Sequence, residues 1–86
     1  LHWPGPVIET EDAWCTCANA PTLAEAIRQA TSDMTTLLAN ALGMSREEAF
    51  ILIGAAGDAR IGQAAALDMD TTAYLQMSKE ILPRAF

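Results

Sequence analysis

The sequence predicts an α+β fold in the order strand, helix, helix, strand, strand. Three observations carry this reading. Residues 13–18 sort into two alternating faces, with Ala13, Cys15 and Cys17 on one and Trp14, Thr16 and Ala18 on the other. Residues 22–43 repeat apolar side chains at three- and four-residue spacing behind a capping residue. Residues 73–78 alternate again, Ala73, Leu75 and Met77 against Tyr74, Gln76 and Ser78. Because the two helical stretches are consecutive, the pattern departs from the regular strand–helix alternation of a doubly wound sheet.

Residues 1–6, "LHWPGP", read as an extended loop, since Pro4 and Pro6 around Gly5 sustain neither a helix nor an interior strand. The following "VIETEDAWCTCANA" carries β-branched and aromatic residues and supplies the first strand, with at least one buried face. A first helix is expected over 22–43. It opens on Thr22 with Glu25 three residues on, the spacing of a capping box that satisfies the amides of the first turn. Leu23, Ile27, Ala30, Met34, Leu37, Leu38, Ala41 and Leu42 form its single apolar stripe, and Gly43 supplies a left-handed cap.

A second helix is expected over 45–57, opened by Ser45 and Glu48 in the same capping pattern. From Ala49 to Ala56 it holds no polar side chain. A helix that is apolar all round must be covered all round. Gly54, Ala55, Ala56 and Gly57 have almost no side-chain volume, so other backbone can approach closely. One helix and a few strands do not suffice to cover such a surface, and a partner is expected. In "ARIGQAAAL" the alanines favour helix by propensity, whereas Gly57 and Gly62 favour extended or bent backbone. The strand reading is the one adopted.

Composition bounds the function. Eighty-six residues make one small domain, and 51% of them are hydrophobic against 19% charged. That is rich for a body with so much surface per unit volume, so part of the apolar material is expected to face another chain or another copy. A net charge of −6 leaves no basic face for nucleic acid and disfavours anionic membrane surfaces. No apolar run approaches a membrane span. The chain opens on Leu1 without the pattern of a signal peptide, and is expected to be cut from something longer.

The cysteines are Cys15 and Cys17. A bridge across one intervening residue would strain the backbone, and two thiols with the single histidine, His2, fall short of a four-ligand zinc site. Reduced thiols, buried in a cytoplasmic protein, are the expectation. His2 could serve either cysteine as a base, but a loop residue is the simpler reading. Glu9, Glu11 and Asp12 read as a solvated acidic segment. Met34, Met44, Met69 and Met77 read as core or interface filler, and Trp3 and Trp14 as packing anchors.

The stretch "ILIGAAGDARIGQ" has the glycines of a phosphate cradle in the wrong order. Such a loop follows a strand and opens a helix, so that helix amides meet the anion. Here the helix comes first, and the negative end of its dipole faces Asp58. Gly57 and Asp58 are therefore expected to form a turn, with Asp58 either bonding nearby backbone amides or belonging to a site.

"SREEAFILIGAAGDARIGQ" resembles the C-terminal signature of the acetamidase/formamidase family, roughly S-R-E-D-A-Y, an apolar run, then A-G-D-L-R-I. Ser45, Arg46, Glu47, Ala49, Ala56, Gly57, Asp58, Arg60 and Ile61 fit it. "AWCTCANAPTLAEAIRQATSDMTTLL" is similar to the family's preceding strand and helix, and "YLQMSKEIL" to its closing strand. Phe50 stands where tyrosine is common, Ile53-Gly54 where Cys-Ser is frequent, and Ser78 in place of the proline of a closing Pro-Lys. The "CTC" stretch replaces a threonine-rich one. These departures leave the substrate open.

The resemblance implies that residues 1–86 are a single C-terminal segment or small subunit completing a larger acetamidase/formamidase-like fold. It implies a metal-dependent hydrolase that cuts a small amide, formamide- or acetamide-like or a lactam, to ammonia or an amine and a carboxylate. The divalent metal, zinc first among candidates, would be held by a larger N-terminal catalytic chain, with none bound by this chain alone. Elementary chemistry agrees, since metal-assisted amide hydrolysis needs ligands, an activated water and a proton shuttle. One loop histidine does not supply them, so this chain alone is expected to be inactive. Asp58 is then the candidate for orienting groups that touch the reacting atoms, and Ala56 and Gly57 the candidates for approaching the substrate. The assembly is expected to be a cytoplasmic homo-oligomer. An alternative of a different class is a non-catalytic interaction module, burying its apolar helix against its own copies.

Overall fold

The computed structural model describes residues 7–61 and 71–84. The expected loop over 1–6, with His2 and Trp3, lies outside the described residues, as do Gly62 and Met69. The elements run β1 (Val7–Glu9), β2 (Ala13–Ala20), α1 (Leu23–Leu42), α2 (Arg46–Ala56), β3 (Asp58–Ile61) and β4 (Thr71–Ser78). The strands form one antiparallel sheet in the order β1-β2-β4-β3. This is the expected α+β succession with one strand more, β1.

The extra strand is the first half of a hairpin. Thr10 closes it: its backbone N–H donates to the Ala13 carbonyl at 2.8 Å, and its hydroxyl accepts from the Ala13 amide at 3.0 Å. Three residues are too few to show a period, so β1 had no alternation of its own to be read from.

The two faces of the sheet are distinct. Trp14, Thr16 and Ala18 of β2 pair with Met77, Leu75 and Ala73 of β4 and point toward α1. A hydrogen bond fixes this: the buried Thr16 hydroxyl donates to the Ala30 carbonyl of α1 at 2.7 Å. The core lies between that sheet face and the helices, built from Met34, Leu37 and Leu38 of α1, Leu75 and Met77 of β4, and Leu82 beyond the last strand. The alternation expected in 73–78 holds, with Ala73, Leu75 and Met77 buried and Tyr74, Gln76 and Ser78 half-buried.

α1 has the expected cap, but only the Thr22 half of the expected capping box. The Thr22 hydroxyl accepts from the Glu25 amide at 3.2 Å, and Gly43 is left-handed at φ 66. Its buried face is narrower than the expected stripe. Leu23 and Leu42 are each 37% exposed and Ala41 is exposed, because burial is confined to the turns that cross the sheet. Asp33 and Thr35 are buried instead. Both are satisfied within the helix, Asp33 by Gln29 Nε2 at 3.0 Å and the Thr35 hydroxyl by the Thr31 carbonyl at 2.7 Å. Counting only apolar residues misses polar side chains that bond to their own helix.

α2 has the complete capping box. The Ser45 hydroxyl accepts from the Glu48 amide, and the Glu48 carboxylate accepts from the Ser45 amide, each at 3.1 Å. Only Ala49 and Ile53 are buried, against α1. Phe50 and Ile51 are 63% and 70% exposed. Nothing in the described residues covers the far side of this helix. At its end the expected turn gives way to a direct passage into β3. Gly57 is extended at φ −74 and ψ 151, its amide donating to the Ile53 carbonyl, and Asp58 is already the first residue of the strand.

Candidate functional site

The three residues singled out for a site sit where α2 gives way to β3. Ala56 and Gly57 are half-buried and Asp58 is exposed. Gly57 is required by close approach rather than by backbone hand. A Cβ there would stand 2.7 Å from the Ile53 carbonyl oxygen and 3.0 Å from Ile53 Cγ2, so any side chain displaces the last turn of α2.

The register places Asp58 in a transverse row across the sheet. It pairs with Gln76 of β4, which pairs with Cys15 of β2, which pairs with Ile8 of β1. Cys15 Sγ lies 3.9 Å from Gln76 Oε1. The next row joins Cys17 with Tyr74 and the Arg60 position, and the one after it Asn19 with Thr72, whose hydroxyl donates to the Asn19 side-chain carbonyl. This face points away from both helices and is mostly polar. Sequence reasoning found Asp58 but not its row, since cross-strand neighbours follow only from register.

Cys15 and Cys17 lie on that face outside any disulfide, Cys15 buried and Cys17 half-buried. Glu9, Glu11 and Asp12 are exposed, as expected of a solvated segment. Glu9 pairs with Lys79 at 2.5 Å, and the Lys79 ammonium stands 5.4 Å from the centre of the Trp14 ring. Trp14, Met34 and Met77 are buried core residues and Met44 is half-buried, in keeping with packing roles.

A second feature lies between the helices. A groove of ≈ 470 Å³ is lined by Arg28, Thr31, Ser32 and Thr35 of α1 and by Arg46, Glu47 and Phe50 of α2. The Arg46 guanidinium is held by the Thr36 hydroxyl at 2.5 Å and reaches the Ser32 hydroxyl at 3.4 Å. The signal in the sequence was the four-residue spacing of Arg28 and Ser32 together with an arginine opening α2. Nearby, the Ser45 amide and then its hydroxyl hold the Glu48 carboxyl below the ordinary carboxylate range.

Among the described residues no three of His, Cys, Asp and Glu converge so as to hold a metal ion. The donor set for the divalent metal implied by the family resemblance is therefore not met by them. No helix among the described residues is long and apolar enough to cross a membrane.

No family model and no curated protein matches the chain. Solved structures do. The chain is similar to an acetamidase from Bacillus halodurans, with a TM-score of 0.82 and 34% identity over 94% of this chain. It is also similar to a predicted acetamidase/formamidase from the thermophile Thermoanaerobacter tengcongensis, with a TM-score of 0.84 and 30% identity over 96% of this chain. It spans 27% of the length of each of them. Fold and sequence agree along nearly the whole chain, and these 86 residues correspond to a part of the acetamidase/formamidase family.

Proposed function

We propose that this chain is the C-terminal part, or a small subunit, of a metal-dependent amidohydrolase that cuts a small amide to ammonia or an amine and a carboxylate. The likeness to the two solved structures carries the reading, since sequence and fold match together at 34% and 30% identity. The far side of α2 supports it. A helix with Phe50 and Ile51 in water is a poor end state for a domain standing alone.

In this reading the metal ligands and the proton shuttle belong to the remainder of the enzyme, because the described residues offer no such donor set. This chain's own part is to complete the fold and to present the polar face of its sheet. Asp58 begins β3 just past the negative end of α2. A carboxylate there suits an N–H or cationic group of the remaining enzyme, which it would orient. Ala56 and Gly57 keep that approach narrow. Small amides such as formamide, acetamide and lactams are the substrates to assay, in a cytoplasmic homo-oligomer that engages neither nucleic acid nor membrane.

The test is ammonia release from formamide and acetamide, and ring opening of lactams, by the assembly and by this chain alone. Hydrolysis by the assembly, with none from the chain alone, is expected. An assembly that opens none of these amides would overturn the reading. Asp58→Asn should lower kcat by about 10- to 100-fold with KM little changed and the fold intact. Full turnover in that variant would remove Asp58 from any positioning role.

A further inference from the structure

Among the described residues, two surfaces of the fold have no layer over them, and their chemistry differs. The sheet face away from the helices carries Asn19, Asp58, Thr72, Tyr74 and Gln76, groups that water can satisfy. The far side of α2 carries Phe50 and Ile51, 63% and 70% exposed, with exposed Gly54 and Ala55 one turn on. A Cβ at Gly54 would meet nothing within 4 Å, so another backbone can rest directly on this helix. Beside that apolar face runs the groove between α1 and α2, whose lining carries two arginines, Arg28 and Arg46, and one carboxylate, Glu47. In a chain of net charge −6 this is a local excess of positive charge.

We infer that the far side of α2 and its adjoining groove seat a segment of the remaining enzyme that carries an apolar stripe flanked by a carboxylate. The inference rests on the reading of the chain as one part of a larger amidohydrolase, and adds where the rest docks and what it brings. The occupant is that remainder because the chain spans 27% of the length of each solved relative, which leaves most of their polypeptide outside the match. Its chemistry follows from the surface. Phe50 and Ile51 ask for apolar cover, and Gly54 admits a close backbone. The arginines ask for an anion, and Arg46 is already held in place by Thr36 and Ser32, so little freedom is lost on pairing. A groove of ≈ 470 Å³ takes a few side chains of such a segment, not a whole domain.

The experiment uses the 86-residue chain with one defined probe, the separately produced part of the Bacillus halodurans acetamidase that this chain does not match. Association is followed by sedimentation velocity, with a probe whose own fold, like that of each variant, is verified by far-UV circular dichroism. Phe50→Glu with Ile51→Glu should weaken binding by on the order of tenfold or more, and Arg28→Glu by several-fold, each with an unchanged spectrum. Glu11→Gln, in the exposed connection between β1 and β2, should bind as the parent chain does. Binding lost in Tyr74→Ala, on the open sheet face, and kept in the α2 variants would overturn the docking face while leaving the larger-enzyme reading in place. No binding by the parent chain, with a homodimer that Phe50→Glu and Ile51→Glu dissolve, would make a second copy the occupant and overturn both. No association of any kind would overturn both as well.

Discussion

α1 and α2 lie side by side and were written by different rules. α1 puts its small and aliphatic residues on the middle turns that cross the sheet, and turns Glu25, Arg28, Gln29 and Asn40 to solvent. Its buried polar groups, Asp33 and Thr35, bond within the helix. Apart from Leu23 and Leu42 near its ends, each 37% exposed, its large apolar side chains are covered by the described residues. α2 buries only Ala49 and Ile53 and leaves two large apolar side chains in water. One helix is buried by its own domain, and the other has a far side that the described residues leave open and that the proposed reading gives to the remaining enzyme. That difference teaches that an element's burial demand can exceed what the packed core around it supplies.

Substitutions sharpen the contrast. The largest effect belongs to α1: Leu38→Ala removes a fully buried side chain from the core and should cost about 2–5 kcal/mol, measured by urea unfolding. A loss under about 1 kcal/mol would mean that the site collapses around the gap. Gly57→Ala comes next. Its Cβ would stand 2.7 Å from the Ile53 carbonyl oxygen, and the strain should cost about 1–3 kcal/mol. A neutral result would show that the end of α2 yields freely.

Within α2 itself, Ile51→Ser should change the stability of the chain by no more than about 0.5 kcal/mol, since Ile51 is 70% exposed. A large loss in the isolated chain would show that this face is already covered in solution. The smallest effect is one of pH. Glu48 is held below its ordinary value by the Ser45 amide, so its stabilisation of α2 is complete above the unfolded-state value. It fades as the pH falls through the folded-state value. Helicity followed by circular dichroism should decline on acidification, and Glu48→Gln should flatten that part of the curve.

The same contrast decides what the sequence could reveal. Local signals were legible: both helix starts, the left-handed Gly43, and the alternation of β4 all depend on residues a few positions apart. The apolar run from Ala49 was legible as a demand for cover. Three features were not. β1 is too short to show a period, Leu23 and Leu42 fall outside the turns that the sheet reaches, and the Gly57–Asp58 junction is a strand start because β4 pairs with it. Asp58 could be named from the local resemblance, but its row with Gln76 and Cys15 arises from pairing between distant strands. The groove of Arg28 and Arg46 likewise needed the packing of two helices.

The central claim is that these residues are one part of a larger enzyme. Native mass spectrometry of the protein isolated with its natural companions, with peptide identification of every component, tests it most directly. The account predicts this sequence in an assembly with a much longer amidase polypeptide, or within one. Homo-oligomers of the 86-residue chain alone would contradict it and leave an interaction module in its place.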